Sequence, residues 1–173
     1  MWINRSLTDD DDQIFETGVG GKPMKTKAIA YLRTSSAANV GTDKDSEKRQ
    51  RAAIAAFAKA HSYEVVDSFY DAAVPGADPV GDRPGFKDVM DRIAGNSVRV
   101  IIVESPDRFA RDLAVQIAGH DYLKGLGVAL VPTSAPDFFA EDTPTVVLVR
   151  QVLGAKIAQI REGFARRENE SGA

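Results

Sequence analysis

Residues 98–103 read Val-Arg-Val-Ile-Ile-Val, a short run that is apolar at almost every position. A strand of this kind has both faces covered, as in a parallel sheet between helices, whereas a half-exposed strand alternates apolar and polar residues. A helical pattern precedes it over residues 85–94, with Phe86 and Val89 on one face, and another follows over residues 109–126. Strand and helix therefore alternate here, which predicts an α/β fold.

The same alternation extends outward in both directions. Further strands are predicted at residues 27–35, 63–70 and 128–132, and further helices at residues 45–61 and 144–166. We predict a three-layer α/β fold with flavodoxin-like topology, in which a mostly parallel sheet of four to five strands has helices on both faces. The predicted organisation is a flexible acidic leader (1–23), the α/β domain (24–142), and a C-terminal helix and tail (143–173) without a DNA-binding domain.

Composition excludes several classes of function. The 173 residues include no cysteine and only two histidines, so disulfides, cysteine-zinc sites and thiol nucleophiles are excluded, and we expect neither a metal nor a cofactor. No apolar run approaches the ~18 residues of a membrane span, and we expect a cytoplasmic protein. The net charge is −3, and residues 24–173 carry equal numbers of acidic and basic residues. Any contact with nucleic acid must therefore be local, because a broad basic surface is missing.

Chemistry in such folds lies beyond the carboxyl ends of the strands. Alternation along the first strand places one set of side chains on a common face: Ile29, Tyr31, Arg33 and Ser35. Arg33 and Ser35 are therefore expected to project together from the strand end. Ser36 is the competing nucleophile, but alternation points it to the other face.

Other charged residues follow the later strands. Asp71 ends the second strand, Arg83 precedes a helix, and Arg108 and Arg111 lie three apart on a predicted helix, where Asp112 is placed to orient Arg108. A serine among guanidinium groups can attack phosphorus, because the cations favour the alkoxide and stabilise charge on the transferring group. The alternative is that these Arg–Asp pairs are ordinary surface ion pairs.

These residues resemble the catalytic domain of the serine site-specific recombinases, the resolvase/invertase family. Four stretches match in order over about residues 27–160: Tyr31–Ser35 (YLRTS), Ser46–Gln50 (SEKRQ), Asp71 with Gly76 and Arg83–Phe86 (RPGF), and Asp107–Asp112 (DRFARD). The resemblance implies that Ser35 attacks a DNA phosphodiester, forming a 5′-phosphoserine link and releasing a 3′ hydroxyl. It also implies double-stranded DNA as substrate, no small-molecule substrate, and dimers that assemble into a tetramer.

The resemblance implies a role for each matching residue. Arg33, Arg108 and Arg111 bind the phosphate, Asp107 transfers a proton or orients an arginine, and supporting residues surround them: Tyr31, Gln50, Asp71 and Arg83. The biological outcome is resolution, inversion, integration or transposition.

Two departures from the family pattern keep other interpretations open. Pro75 stands where the family often has serine, and Gly154–Glu162 fits the register of the family's last helix poorly. One alternative is therefore an impaired or truncated recombinase-like domain that acts as a dimerisation or regulatory partner. Another is a flavodoxin-like module that binds phosphate or a nucleotide at residues 34–41. Apolar residues of the last helix line either a dimer seam or the chain's own core: Val146, Val147, Val149, Val152, Leu153, Ile157 and Ile160.

Overall fold

The computed structural model describes residues 24–34, 40–76, 78–139 and 144–171. In chain order the elements are β1 (Thr26–Arg33), α1 (Val40–Ala60), β2 (Tyr63–Asp71), α2 (Pro84–Ala94), β3 (Val100–Val103), α3 (Pro106–Phe109), α4 (Leu113–Gly125), β4 (Ala129–Pro132) and α5 (Pro144–Ser171), with a 3₁₀ turn at Val80–Asp82. The leader predicted at residues 1–23 lies outside the described residues.

The sheet has four parallel strands in the order β2-β1-β3-β4, with helices on both faces. The predicted fold class is confirmed. β1 is central: Arg33 at its end pairs with Asp71 of β2, and Ile29 pairs with Ile101 of β3. Because all four strands run in one direction, their carboxyl ends meet at one edge, where the candidate site residues are gathered.

The two faces of β1 pack into different cores, as the alternation predicted. Ile29 and Tyr31 belong to a cluster with residues of α2, α4 and α5, including Phe86. Ala28, Ala30 and Leu32 face the other way, against Ile54 and Ala58 of α1. Every described β1 residue from Ala28 onward is almost fully buried, so the strand position of Arg33 is fixed from both sides.

The single helix predicted over residues 109–126 is wrong. α3 ends at Phe109, Ala110 is extended at φ −153° and ψ 154°, and α4 begins only at Leu113 after Asp112 caps it. The Asp112 carboxylate accepts hydrogen bonds from the backbone N–H groups of Ala114 and Val115, at 2.8 and 3.2 Å. The cap satisfies backbone donors that have no partner within the helix.

Side chains from elsewhere in the chain explain the break. Carbonyls of four consecutive residues, which would accept backbone bonds in a continuous helix, accept side-chain donors instead. Arg33 bonds the carbonyls of Asp107 and Arg108, Arg83 bonds that of Phe109, and Gln116 bonds that of Ala110. As a result, the backbone forms a non-helical corner after Phe109. Arg108 lies before this corner and Arg111 lies within it, so the two arginines do not share one continuous helix.

α5, the last helix, packs along α4, and its apolar residues fall into two groups. Val146 and Ile157 are buried, and Val149, Leu153 and Ile160 are half-buried against the protein's own core. Val147 and Val152 stay exposed, together with Leu148. Arg150 of α5 also makes a two-pronged ion pair with Asp121 of α4, at 2.5 and 2.7 Å. Most of the proposed seam is therefore internal packing, and a smaller exposed patch remains.

Candidate active site

Arg33 is buried at the end of β1, with only 1% of its surface exposed. Its guanidinium donates three hydrogen bonds to backbone carbonyls: Nη1 to Val74 at 2.9 Å, Nη2 to Asp107 at 2.8 Å and Nε to Arg108 at 3.1 Å. It therefore ties the strand end to the loop after β2 and to the corner after β3. In this structure Arg33 holds the site together through its backbone partners, whereas the family resemblance implies that it contacts phosphate.

Other cations lie close to Arg33. Burial, as the main cause, and the positive charge of Arg83 lower the pKa of Arg33 to about 10. The charges of Arg111 and Arg108 act in the same direction, and the neighbouring Tyr31 opposes them. The four predicted arginines are therefore brought together, although they come from three separate segments of the sequence. Such a concentration of positive charge is suited to a phosphate group.

Arg83 is the second buried guanidinium, also 1% exposed. Its Nη1 donates to the carbonyl of Phe109 at 2.5 Å, and its Nη2 donates to those of Asp78 and Gly76 at 2.8 and 3.3 Å. Its Nε is buried without a hydrogen-bond partner. Arg83 thus links the loop that precedes α2 to the corner that carries Arg108 and Arg111.

Gln50 fixes the backbone of Arg33. Its side-chain Nε2 donates to the Arg33 carbonyl at 3.2 Å, and its Oε1 accepts from the Arg33 N–H at 3.3 Å, in a fully buried setting. The amide side chain thus pairs with the end of β1 as a neighbouring strand would. A weaker bond of 3.4 Å joins Gln50 to Ser46 one turn earlier on α1.

Tyr31 and Asp71 form a buried polar pair beneath the site. The Tyr31 hydroxyl donates to Asp71 Oδ2 at 2.7 Å, while Asp71 Oδ1 accepts from the backbone N–H of Gly85 at 2.8 Å. Burial is the main cause that raises the pKa of the Tyr31 phenol above its usual value, so the hydroxyl remains a donor. Asp71 also satisfies the N-terminus of α2, which begins at Pro84 as its sequence predicts.

Arg108 is held by Glu104, one turn before it. Arg108 Nε lies 2.9 Å from Glu104 Oε2, and the same carboxylate pairs with Arg49 of α1, whose Nε lies 3.1 Å from Oε1. The Arg108 side chain is 23% exposed and that of Arg49 is 61% exposed. These two guanidinium groups are more accessible to a ligand than those of Arg33 and Arg83.

Arg111 packs over Gly76 at the rim of the site. A Cβ placed on Gly76 would lie 2.5 Å from Arg111 Cγ, 2.8 Å from its Cδ and 2.9 Å from Arg33 Nη2. Only glycine permits this close approach of the two arginines. The carbonyl of Pro75 accepts from the N–H of Asp78 at 3.1 Å, so Pro75 begins the turn that contains Gly76.

The two aspartates near this corner have different partners, and that of Asp112 is not the one predicted. Asp107 holds Arg33 through its carbonyl, and its exposed carboxylate accepts a weak 3.4 Å bond from Gln116. Asp112 does not orient Arg108. It caps α4 and pairs with Lys156 of α5 at 2.9 Å, and the hydrogen bond from Lys156 is the main cause that lowers the pKa of Asp112.

Ser35 and the competing Ser36 lie outside the described residues. Among described residues, sequence reasoning missed Arg49, Glu104 and Gln116. The sequence carries signals for two of these residues. Glu104 and Arg108 are four residues apart, which is the spacing of an ion pair on a helix, and Arg49 directly precedes the predicted site residue Gln50. The role of Gln116 carries no sequence signal, because it depends on the break between α3 and α4.

The described part of the chain contains neither a metal-binding cluster nor a membrane-spanning helix. No group of three or more histidine, aspartate or glutamate side chains there is arranged to hold a metal ion. None of the described helices has the length and apolar character needed to cross a membrane.

Comparisons with known proteins point to one family. Residues 28–172 match the family model described as the resolvase N-terminal domain. The catalytic domain of TP901-1 integrase is similar in structure, with a TM-score of 0.60 and 20% identity over 79% of this chain and 98% of that one. A resolvase-family site-specific recombinase from Streptococcus pneumoniae gives a TM-score of 0.60 and 22% identity over 86% of this chain and 99% of that one.

A third similar structure is the C-terminal catalytic domain of ISC1926 TnpA, an IS607-like serine recombinase, with a TM-score of 0.52 and 20% identity over 76% of this chain and 99% of that one. No curated protein gives a significant match. At these identities the structures establish the fold, whereas the family model covers most of the chain. The chain therefore belongs to the serine recombinase (resolvase) family and carries that family's N-terminal catalytic domain.

Proposed function

We propose that this domain cleaves and rejoins DNA strands, with Ser35 as the nucleophile. The observation that carries the proposal is the convergence of Arg108 and Arg111 on the end of β1, two residues before Ser35 in the sequence. Guanidinium groups at that edge are suited to a phosphodiester and to the extra charge that develops during its substitution.

The proposed reaction exchanges one phosphodiester for another. The Ser35 Oγ loses its proton and forms a bond to phosphorus, while the bond between phosphorus and the 3′ oxygen breaks and that oxygen takes up a proton. The products are a 5′-phosphoserine link and a free 3′ hydroxyl. Attack by a 3′ hydroxyl on the same phosphorus reverses the step, so rejoining needs no nucleotide.

The accessible and the buried arginines take different parts in this proposal. Arg108 and Arg111 bind the phosphate and stabilise the transition state, and Asp107 transfers a proton or orients an arginine. Arg33 and Arg83 are positioning residues, because their donors are directed at backbone carbonyls of the segments that carry the other groups. The other supporting residues hold the strand end and the N-terminus of α2 in register: Gln50, Tyr31 and Asp71.

We also propose that two copies of the chain pair through α5. Val147, Leu148 and Val152 are 37, 59 and 70% exposed on the first half of this helix, next to residues that already pack inward. An exposed apolar patch of this kind is typical of an association surface. Association would bring two copies of the candidate site to one DNA duplex.

The test is detection of the covalent intermediate. Purified protein is mixed with supercoiled plasmid, quenched with denaturant, digested with nuclease, and its peptides are analysed by mass spectrometry. The expected result is a nucleotide phosphate attached to Ser35. Ser35→Ala should abolish the adduct while leaving the circular dichroism spectrum unchanged.

Ser36→Ala is the matched control, since it removes the neighbouring hydroxyl and should still form the adduct. An adduct that persists in Ser35→Ala and disappears in Ser36→Ala would transfer the nucleophile to Ser36. Plasmid cleavage without any adduct would contradict a phosphoserine mechanism altogether.

A further inference from the structure

A bridge of three charged side chains lies beside the site at the carboxyl end of β3. Glu104 directly follows that strand, and both of its carboxylate oxygens are engaged. Oε1 lies 3.1 Å from Arg49 Nε, while Oε2 lies 2.9 Å from Arg108 Nε and 3.3 Å from Arg49 Nη2. One carboxylate thus lies between two guanidinium groups, and Arg49 is 55 residues away from Glu104 in the sequence.

The exposure of these groups is graded. The side chain of Arg49 is 61% exposed, that of Arg108 is 23% exposed and that of Glu104 is 15% exposed. The two cations are therefore open to an external ligand, while the anion between them is largely enclosed. A carboxylate and a DNA phosphodiester share a single negative charge and two terminal oxygens, and a guanidinium fork binds either one.

We infer that Arg49 and Arg108 form a binding site for a DNA backbone phosphate, that Glu104 occupies this site in the absence of DNA, and that Arg49 is a phosphate-binding residue. The inference rests on the proposed function for its ligand, which is DNA. It goes beyond that proposal by adding Arg49 and by giving Glu104 the part of an internal competitor. DNA must displace the carboxylate, so Glu104 weakens binding.

The experiment measures duplex DNA binding against salt concentration, using the Ser35→Ala chain so that no strand is cut. Each phosphate contact contributes about 0.9 to the slope of log affinity against log salt. Arg49→Gln is expected to weaken binding about fivefold at low salt and to reduce the slope by about 1. Arg49→Lys should retain the slope, because it keeps the charge.

Glu104→Gln is expected to strengthen binding severalfold, since the amide no longer competes for the guanidinium groups. The matched control is Arg92→Gln, which removes an exposed arginine, 47% accessible, from its 3.0 Å pair with Asp67. It should change neither the affinity nor the slope by a comparable amount. Equal losses in Arg92→Gln and Arg49→Gln would overturn the inference, because they would reflect net charge alone.

The decisive measurement is Arg49→Gln in the Glu104→Gln background. A phosphate-binding Arg49 still weakens binding there, whereas an arginine that serves only as a partner for Glu104 has no effect, and that result would overturn the inference. Binding by the Ser35→Ala parent chain that is undetectable at low salt would overturn it as well. The results also separate this inference from the proposed function. An adduct on Ser35 together with normal DNA binding by Arg49→Gln would overturn only the role of Arg49. DNA binding that depends on Arg49 without any adduct would overturn only the cleavage reaction.

Discussion

The arginines of the site differ in what their donors bind. Arg33 and Arg83 each give their donors to carbonyl oxygens within the protein, and each is 1% exposed. Arg108 and Arg49 are ion-paired to a carboxylate and remain accessible. Burial therefore distinguishes the two arginines that hold the backbone of the site from the two that we propose to bind phosphate.

Arg33→Gln should destabilise the fold. The substitution removes donors from three partly buried carbonyl groups. Unsatisfied buried polar groups cost about 1–3 kcal/mol each, and partial exposure, water and the new amide offset part of that cost. We expect a loss of about 3 kcal/mol in the free energy of unfolding, measured by urea denaturation. Arg92→Gln, which breaks only an exposed pair, should cost below about 1 kcal/mol. Equal stability of the two variants would refute the positioning role of Arg33.

Gly76→Ala should separate the two arginines that meet there. The new methyl group would lie 2.5 Å from Arg111 Cγ and 2.9 Å from Arg33 Nη2. Because Arg111 is exposed and Arg33 is buried, we expect the Arg111 side chain to shift. We expect adduct formation to fall on the order of tenfold, with a stability loss of about 1–2 kcal/mol. Gly125→Ala is the control, because no atom lies within 4 Å of its Cβ position. Normal adduct formation by Gly76→Ala would show that the contact is dispensable.

At the scale of elements, the strands were more predictable than the corner after β3. The alternation along β1 was read correctly because two apolar cores select opposite faces of the strand. The helix break at Ala110 was missed because residues 109–112 contain no helix-breaking residue. The break depends on side-chain donors from Arg33 and Arg83, which lie far away in sequence. Pattern reasoning therefore predicted that the arginines gather at one edge of the sheet, but not the backbone that orients Arg108 and Arg111.

The interface between α4 and α5 should make stability depend on pH. Burial is the main cause that lowers the pKa of His120; the bond to Asp121 opposes it, and the charges of Arg150 and Lys124 add to it. The ring also stacks on Phe139 at 4.7 Å. Because the unfolded state binds the proton more readily, the stabilisation is complete above about pH 6.5 and is lost as the pH falls through the folded-state pKa.

We expect the Tm to fall between pH 7.5 and 5, because protonation of His120 favours the unfolded state. His120→Gln should remove this part of the pH dependence, as measured by scanning calorimetry. His61→Gln, at the exposed end of α1, should retain it. An unchanged pH profile in His120→Gln would place the titrating group elsewhere.

For the whole molecule, we expect two copies of the chain to associate through the exposed apolar patch of α5. Leu148→Glu with Val152→Glu should reduce self-association, because two charges would replace side chains that are 59 and 70% exposed. We expect a lower weight-average mass in sedimentation velocity at matched concentration. Leu126→Glu, at a 39% exposed position after α4, is the control and should behave as wild type. If the double variant and wild type sediment alike at every concentration, the α5 surface is not the contact.

The central position of β1 has a consequence for how the chain is made on the ribosome. One edge of β1 is covered as soon as β2 emerges, but the pairing of Ile29 with Ile101 joins residues about 70 positions apart. At translation speeds of about 5–20 residues per second, the edge of β1 that pairs with β3 is synthesised roughly 4–14 s before β3. During that interval the apolar edge of β1 that pairs with β3 has no neighbour, so we expect the yield of folded protein in a cell to depend on chaperones that cover this edge.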